Sequence, residues 1–320
     1  MKNVAEQQPQ PPPGIVATLA AGFELTTAHL WLILLPIFLD VIYWLGPRLG
    51  IVKLTDQLLR PLLEEPSVQE AASQIIDMAS GINMLTSLSV PLIGIPALMG
   101  GETPEVTPLQ AQVYELDNVM AMLVLQIGLS LAGLFLAALY LGLISLALED
   151  EDKRPSRFVE FAVATLKNGA RLLALGLVFV ALLIMVWLPL LPIALLVGLV
   201  AGGLAIYVML SGFVLVVTYL SMSVPGIVLK GRPVVRSVWE SIRMVHRNAL
   251  PTVTLLFLVV LISSGTNWLW RLADDGSWLT VVSIAGHAFV STALAAAIFI
   301  FYRDRWLFAQ RRLQESTVAR

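Results

Sequence analysis

"LLALGLVFVALLIMVWLPLLPIALLVGLVAGGLAIYVMLSGFVLVVTYLSMSVPGIVLK", Leu172 to Lys230, carries no charge before its final lysine. A helix needs about 20 apolar residues to cross the hydrocarbon core of a bilayer. This run is too long for one crossing and right for two. The prolines of "WLPLLP", Trp187 to Pro192, remove backbone donors, and the turn between the two crossings is expected there.

The rest of the chain agrees with that reading. Of 320 residues 58% are hydrophobic and 13% charged, and mean hydropathy is +0.83. Soluble domains carry about a quarter charged residues, so most of this chain is expected to be solvated by lipid. A net charge of −2 gives no reason to expect a nucleic-acid partner. Cysteine is absent, which excludes disulfides, thiolate catalysis and thiolate metal sites. His29, His246 and His287 are too scattered for a metal motif, and no cofactor motif is present.

Further crossings are expected at about Ala28–Gly46, Val119–Leu148, Ala249–Trp270 and Trp278–Tyr302. That makes six. "TPLQ", Thr107 to Gln110, has the form of a capping box and starts the second helix early. Ser67 to Glu70 forms a similar box. The first 13 residues are polar and proline-rich, a flexible tail with no cleavable signal.

Positive loops tend to stay cytoplasmic. With the N-terminus inside, 16 of the 20 Lys and Arg fall on inner segments, grouped at Lys2, Lys153–Arg171, Lys230–Arg247 and Arg303–Arg320. The outer segments hold Arg48, Lys53, Arg60 and Arg271. The expected protein therefore lies in the cell membrane with both termini cytoplasmic. The region 47–118 is extracytoplasmic and acidic, and 303–320 is a cytoplasmic tail.

Two inner segments resemble each other. Shifting "FVEFAVATLKN" (Phe158–Asn168) by 80 positions onto "VWESIRMVHRN" (Val238–Asn248) puts Glu160 on Glu240, Lys167 on Arg247 and Asn168 on Asn248. At a helical period, Arg236, Glu240, Arg243 and Arg247 fall opposite Val235, Trp239 and Ile242. Basic amphipathic helices of this kind lie on anionic leaflets. Residues 14–28 occupy the same relative place before the first crossing.

The expected fold is thus an all-α integral membrane protein forming a single domain, 14–320. It has six transmembrane helices, three cytoplasmic interfacial helices and a helical extracytoplasmic lobe. Its segments are 14–46, the lobe 47–118, 119–148, 155–222 and 231–302. Within the lobe, "INMLTSLSVPLIGIPALMGG" is expected to lie on the surface or to re-enter the membrane partway.

"SVPGIVLKGRPVVRSVWESIRMVHRNALPTVTLL", Ser223 to Leu256, resembles a segment of a family of six-span bacterial membrane proteins. These are related to the membrane domain that precedes some glycerophosphodiester phosphodiesterases. The likeness covers about residues 150–305. The family's catalytic barrel is absent, so the resemblance implies a six-span fold and no hydrolase.

Candidate functional residues are few. Asp40 in the first crossing should sit near its outer end, paired with a Tyr or Trp donor, with Arg48 or Arg271, or with water, and fasten the lobe to the bundle. Asn267 and His287 are polar positions inside the fifth and sixth crossings. Ser264 and His287 do not make a rhomboid-like protease, because its "GxSG" would need glycine at Ile262. Arg236, Glu240, Arg243 and Arg247 form a stripe suited to anionic phospholipids at the cytoplasmic face or to a protein partner. No catalytic constellation is found. The expected role is a non-enzymatic lipid-interacting or scaffolding component, with a small-molecule or lipid transporter as the alternative.

Overall fold

A computed structural model describes residues 11–63, 67–90, 93–101, 104, 106–149 and 158–318. Residues 1–10 of the expected tail, the charged residues 150–153 and Pro91 lie outside them. The described chain is helical, with one small sheet. In order it forms α1 (Ile15–Ala28), α2 (Leu34–Leu45), β1 (Arg48–Gly50), α3 (Val52–Leu63), α4 (Gln69–Ser80), β2 (Val113–Glu115) and α5 (Val119–Leu148). There follow α6 (Phe158–Ala201), α7 (Leu204–Leu220), α8 (Ser223–Lys230), α9 (Val234–Arg247), α10 (Ala249–Trp270) and α11 (Thr280–Val318).

Five helices are long and apolar enough to cross a membrane: α5, α6, α7 taken with α8, α10, and α11 to Arg312. A sixth would need α1 joined to Leu30–Leu45, a pair broken at His29, whose backbone leaves the helical region (φ −131°, ψ 58°).

The turn in the long apolar run is not at the prolines. α6 continues through Pro189 and Pro192 to Ala201, and the chain reverses at Gly202–Gly203. Each proline forfeits one helical hydrogen bond, whereas a turn there would strand several backbone groups. Gly202 takes a left-handed φ of +53° and donates its N–H to the Gly198 carbonyl at 3.0 Å, a conformation that costs glycine least. Near the prolines, Trp187 donates to the Met209 carbonyl (3.2 Å). Gly212 of α7 admits Val186, Trp187 and Leu190 of α6.

The amphipathic segment that begins at Phe158 is also not a separate helix. Phe158–Arg171 runs without a break into the apolar part of α6, 44 residues in all. α9 and α10 do part, at Asn248 (φ −127°, ψ 41°). The difference lies at the equivalents Arg171 and Pro251. Proline cannot bond to residue 247 and crowds its carbonyl, so the helix stops beforehand. Asn248 then caps α9, its side chain donating to the Met244 carbonyl (3.0 Å).

Two smaller expectations change as well. Thr107 bonds to the Leu109 carbonyl within a turn. The cap of α5 is Asn118, whose Oδ1 accepts the N–H groups of Met120 (2.8 Å) and Ala121 (3.1 Å). α4 begins at Gln69 with Val68 at its N-cap and no side-chain capping bond there. Residues 303–318 of the expected cytoplasmic tail continue α11 as helix.

By contact the chain divides into two compact units. The first comprises Met1–Ala28, Ile144–Leu261 and Ala293–Arg320, and the second His29–Leu143 and Ile262–Thr292. In the first, Leu172, Met222, Ile227 and Phe301 form buried core, and α1 lays Gly22 against Ala293 and Ala297 of α11. Small residues let helix backbones approach this closely.

The second unit contains the lobe, which is not wholly helical. β1 and β2 pair in parallel, Arg48 with Val113, Leu49 with Tyr114 and Gly50 with Glu115. Asn83 ties this sheet to a 3-10 turn, Met84–Leu88, because its Oδ1 accepts from Leu49 (3.1 Å) and Leu85 (3.2 Å).

Candidate functional site

The sequence candidates fall in both units. In the second, α2 buries Pro36, Leu39, Asp40, Tyr43 and Trp44, a helical stripe of spacing i, i+3, i+4, i+7, i+8. Three of these residues bear polar atoms, and each grips a different stretch of chain.

Asp40, fully buried, accepts the N–H of Met99 at Oδ1 (2.8 Å) and of Leu98 at Oδ2 (2.9 Å). These amides open the 3-10 turn Leu98–Gly100, where backbone donors have no partner within the turn. The carboxylate thus caps a turn 58 residues away in sequence. Its partners are neither Arg48 nor Arg271, nor a tyrosine or tryptophan. Tyr43 shares a hydrogen bond with Ser89 (2.9 Å). Trp44 donates to the Asp275 carbonyl (2.8 Å) and meets Trp278 edge to face at 5.7 Å.

The segment held by Asp40 also touches α5. Ser87 bonds to Gln126 (3.1 Å), and Leu88 runs against Gly133, where a β-carbon would stand 2.6 Å from the Leu88 carbonyl oxygen. Gly133 lies about 21 Å along α5 from its first residue, at 1.5 Å per residue. Arg48 is half-buried, its Nε without a hydrogen-bond partner among the described residues, and burial pushes its guanidinium below the usual arginine range.

His287 is buried in α11 with Nε2 unpartnered among the described residues. Its neighbour Gly286 lies under the Trp270 ring, whose Nε1 is likewise buried and unpartnered. Asn267 is half-buried in α10. Among the described residues no hydrogen bond joins Asp40, Asn267 and His287, and no group of three or more His, Asp or Glu could hold a metal ion.

The first unit carries the basic stripe. Glu240 is paired with Arg232 and with Arg236 (3.2 Å), one turn before it. α9 buries Ser237, Ser241 and Val245. Ser241 donates to the Tyr219 carbonyl (2.6 Å) and accepts the Met222 N–H (3.2 Å), pinning α9 to the end of α7. With serines inward, Val235 and Trp239 are left exposed, as are Arg243, His246 and Arg247. The Arg243 guanidinium lies over the Trp239 ring at 5.9 Å. Lys230 stands over Trp306 at 4.0 Å.

No family model, curated protein or solved structure matches this chain.

Sequence reasoning missed Leu98, Met99, Ser89 and Asn83, whose contribution is a backbone amide or a short polar side chain in a loop. It also missed Arg232 as a partner of Glu240. Arg232 precedes Pro233 and lies outside α9, so helix periodicity could not place it beside Glu240.

Proposed function

We propose that the protein is a six-span component of the cell membrane, with both termini cytoplasmic, that acts without catalysis by engaging anionic lipid and a partner protein at its cytoplasmic face. One observation carries the proposal: α9 spends its small serines on packing and leaves Val235 and Trp239 exposed beside Arg236, Arg243 and Arg247. A helix with exposed apolar and basic sides is suited to lie at an anionic membrane surface, rings in the acyl boundary and guanidinium groups on phosphates. The relation to the membrane domains of glycerophosphodiester phosphodiesterases is part of the same proposal and brings no hydrolase with it.

The chain lacks cysteine, so Val235→Cys gives a single labelling site. An environment-sensitive fluorophore there should be quenched by lipid-borne quencher in anionic bilayers, and less in neutral ones. A fluorophore that stays in water in both would end this reading.

The Asp40-held segment favours a second reading, a transporter. A loop that meets α5 at Gln126 and Gly133 and ends in a turn capped by a buried carboxylate would suit a re-entrant segment lining a path. Solute flux in proteoliposomes that depends on Asp40 or His287 would favour it over the first reading.

A further inference from the structure

We infer that a groove beside the first turns of α6 binds one monoanionic glycerophospholipid with a hydroxyl-bearing headgroup, of the phosphatidylglycerol type. The inference rests on the reading that the basic face meets the inner leaflet.

The groove has a volume of about 490 Å³. One wall is α6, which turns Glu160, Lys167, Asn168 and Arg171 into it, and the end of α8 supplies Val228 and Gly231 opposite. The four polar residues stand at i, i+7, i+8 and i+11, one helical face. Lys167 and Arg171 are therefore one turn apart, about 6 Å along the axis, the spacing at which two cations converge on one phosphate.

The cations are held open for such a ligand. Neither has a carboxylate partner among the described residues. Arg171 donates Nη1 to the Oδ1 of Asn168 at 3.2 Å. Asn168 is itself only 7% exposed, so it is a fixed support rather than a loose surface group. Across the groove Gly231 takes φ +59° and passes below the guanidinium, with Nη1 3.7 Å from the place a β-carbon would occupy.

Charge and depth choose the occupant. Two cations and Glu160 leave one net positive charge, which a single phosphodiester neutralises. Leu172, the residue after Arg171, opens the charge-free part of α6, which sets both cations at headgroup level and lets acyl chains follow the apolar helix. Glu160, two turns farther from the apolar part, accepts hydrogen bonds from headgroup hydroxyls. A zwitterionic choline headgroup offers it no donor, and a dianionic lipid overfills the charge.

The test is native mass spectrometry of the full chain released from nanodiscs holding equal phosphatidylglycerol and phosphatidylcholine. Wild type should retain one phosphatidylglycerol at least ten-fold over phosphatidylcholine. Lys167→Gln with Arg171→Gln should abolish that preference, while Arg311→Gln, at an exposed position outside the groove, should keep it. Equal retention of both lipids by wild type overturns the proposal, and this measurement needs no variant to fold. Unchanged preference in the Lys167/Arg171 variant overturns it too. Exchange of the retained species for free glycerol phosphate, with no lipid held, would overturn the lipid assignment. If the groove fails while the Val235 fluorophore still reports bilayer, only this inference falls. A fluorophore in water brings down the underlying reading.

Discussion

Asp40 and Met99 are joined at 2.8 Å, carboxylate Oδ1 to backbone N–H, with the Leu98 N–H on the other oxygen at 2.9 Å. A buried carboxylate is tolerable only where its charge is met by donors. Here the donors are two consecutive amides that would otherwise be stranded at the start of a turn. Each side relieves the other of a desolvation cost, so acid and turn are expected to stand or fall together.

Asp40→Asn keeps the shape but offers one acceptor oxygen, and turns an NH2 toward the second amide. One charge-assisted bond is lost and a donor faces a donor, at a cost of about 2–3 kcal/mol. The Leu98 and Met99 amides should then exchange with deuterium at least ten-fold faster in micelles or nanodiscs, while α5 is unaffected. Unchanged protection of both amides would refute the capping role.

Two glycines of α5 should respond oppositely to alanine. At Gly133 the new β-carbon would stand 2.6 Å from the Leu88 carbonyl oxygen, and overpacking of this kind costs about 1–3 kcal/mol. At Gly128 nothing lies within 4 Å, so alanine only removes glycine's backbone freedom and stabilises by about 0.5–1 kcal/mol. Thermal unfolding in one detergent should place Gly133→Ala below wild type and Gly128→Ala at or above it.

These contacts show what a sequence exposes and what it hides. Charge-free length depends on neither partner nor period, so Val119–Leu148 and Ala249–Trp270 were legible from their ends alone. The reversal at Gly202 was hidden because proline is the louder signal in water, whereas in a lipid-exposed helix the cheaper loss is one proline's hydrogen bond. The break at Asn248, absent at Asn168, turned on Pro251 against Arg171, a difference the repeat pattern obscured. Asp40 could be placed near the lobe from Trp44, Gly46 and Pro47, but its partners could not. Backbone amides have no letter in a sequence.

Glu240 should matter through Arg232 more than through Arg236. Arg232 and Glu240 are mostly covered, with side chains 16% and 24% exposed, while Arg236 is 66% exposed. Exposed pairs are worth at most about 1 kcal/mol, and a covered cation deprived of its partner costs more. Arg232 also stands 5.6 Å from the Trp306 ring. Glu240→Gln should therefore lower the melting temperature and shift the Trp306 emission, and Arg236→Gln should do neither beyond a degree or two. Equal effects would show that Glu240 acts through the outer arginine instead.

His287 separates the two functional readings. Its Nε2 is buried and unpartnered among the described residues, so the folded protein carries an unmet desolvation cost there. Replacing such a group by an apolar one of similar size removes the cost without losing a hydrogen bond. His287→Leu should leave stability unchanged or raise it by about 1 kcal/mol, and leave the Val235 fluorophore in its bilayer environment. If the protein engages lipid and partner without moving solute, its lipid retention and partner capture are equally unaffected. If His287 instead lines a path, the variant is stable and inserted but loses flux in proteoliposomes. A stable His287→Leu with lost flux would select the transporter, because no structural role for the imidazole would remain to explain the loss.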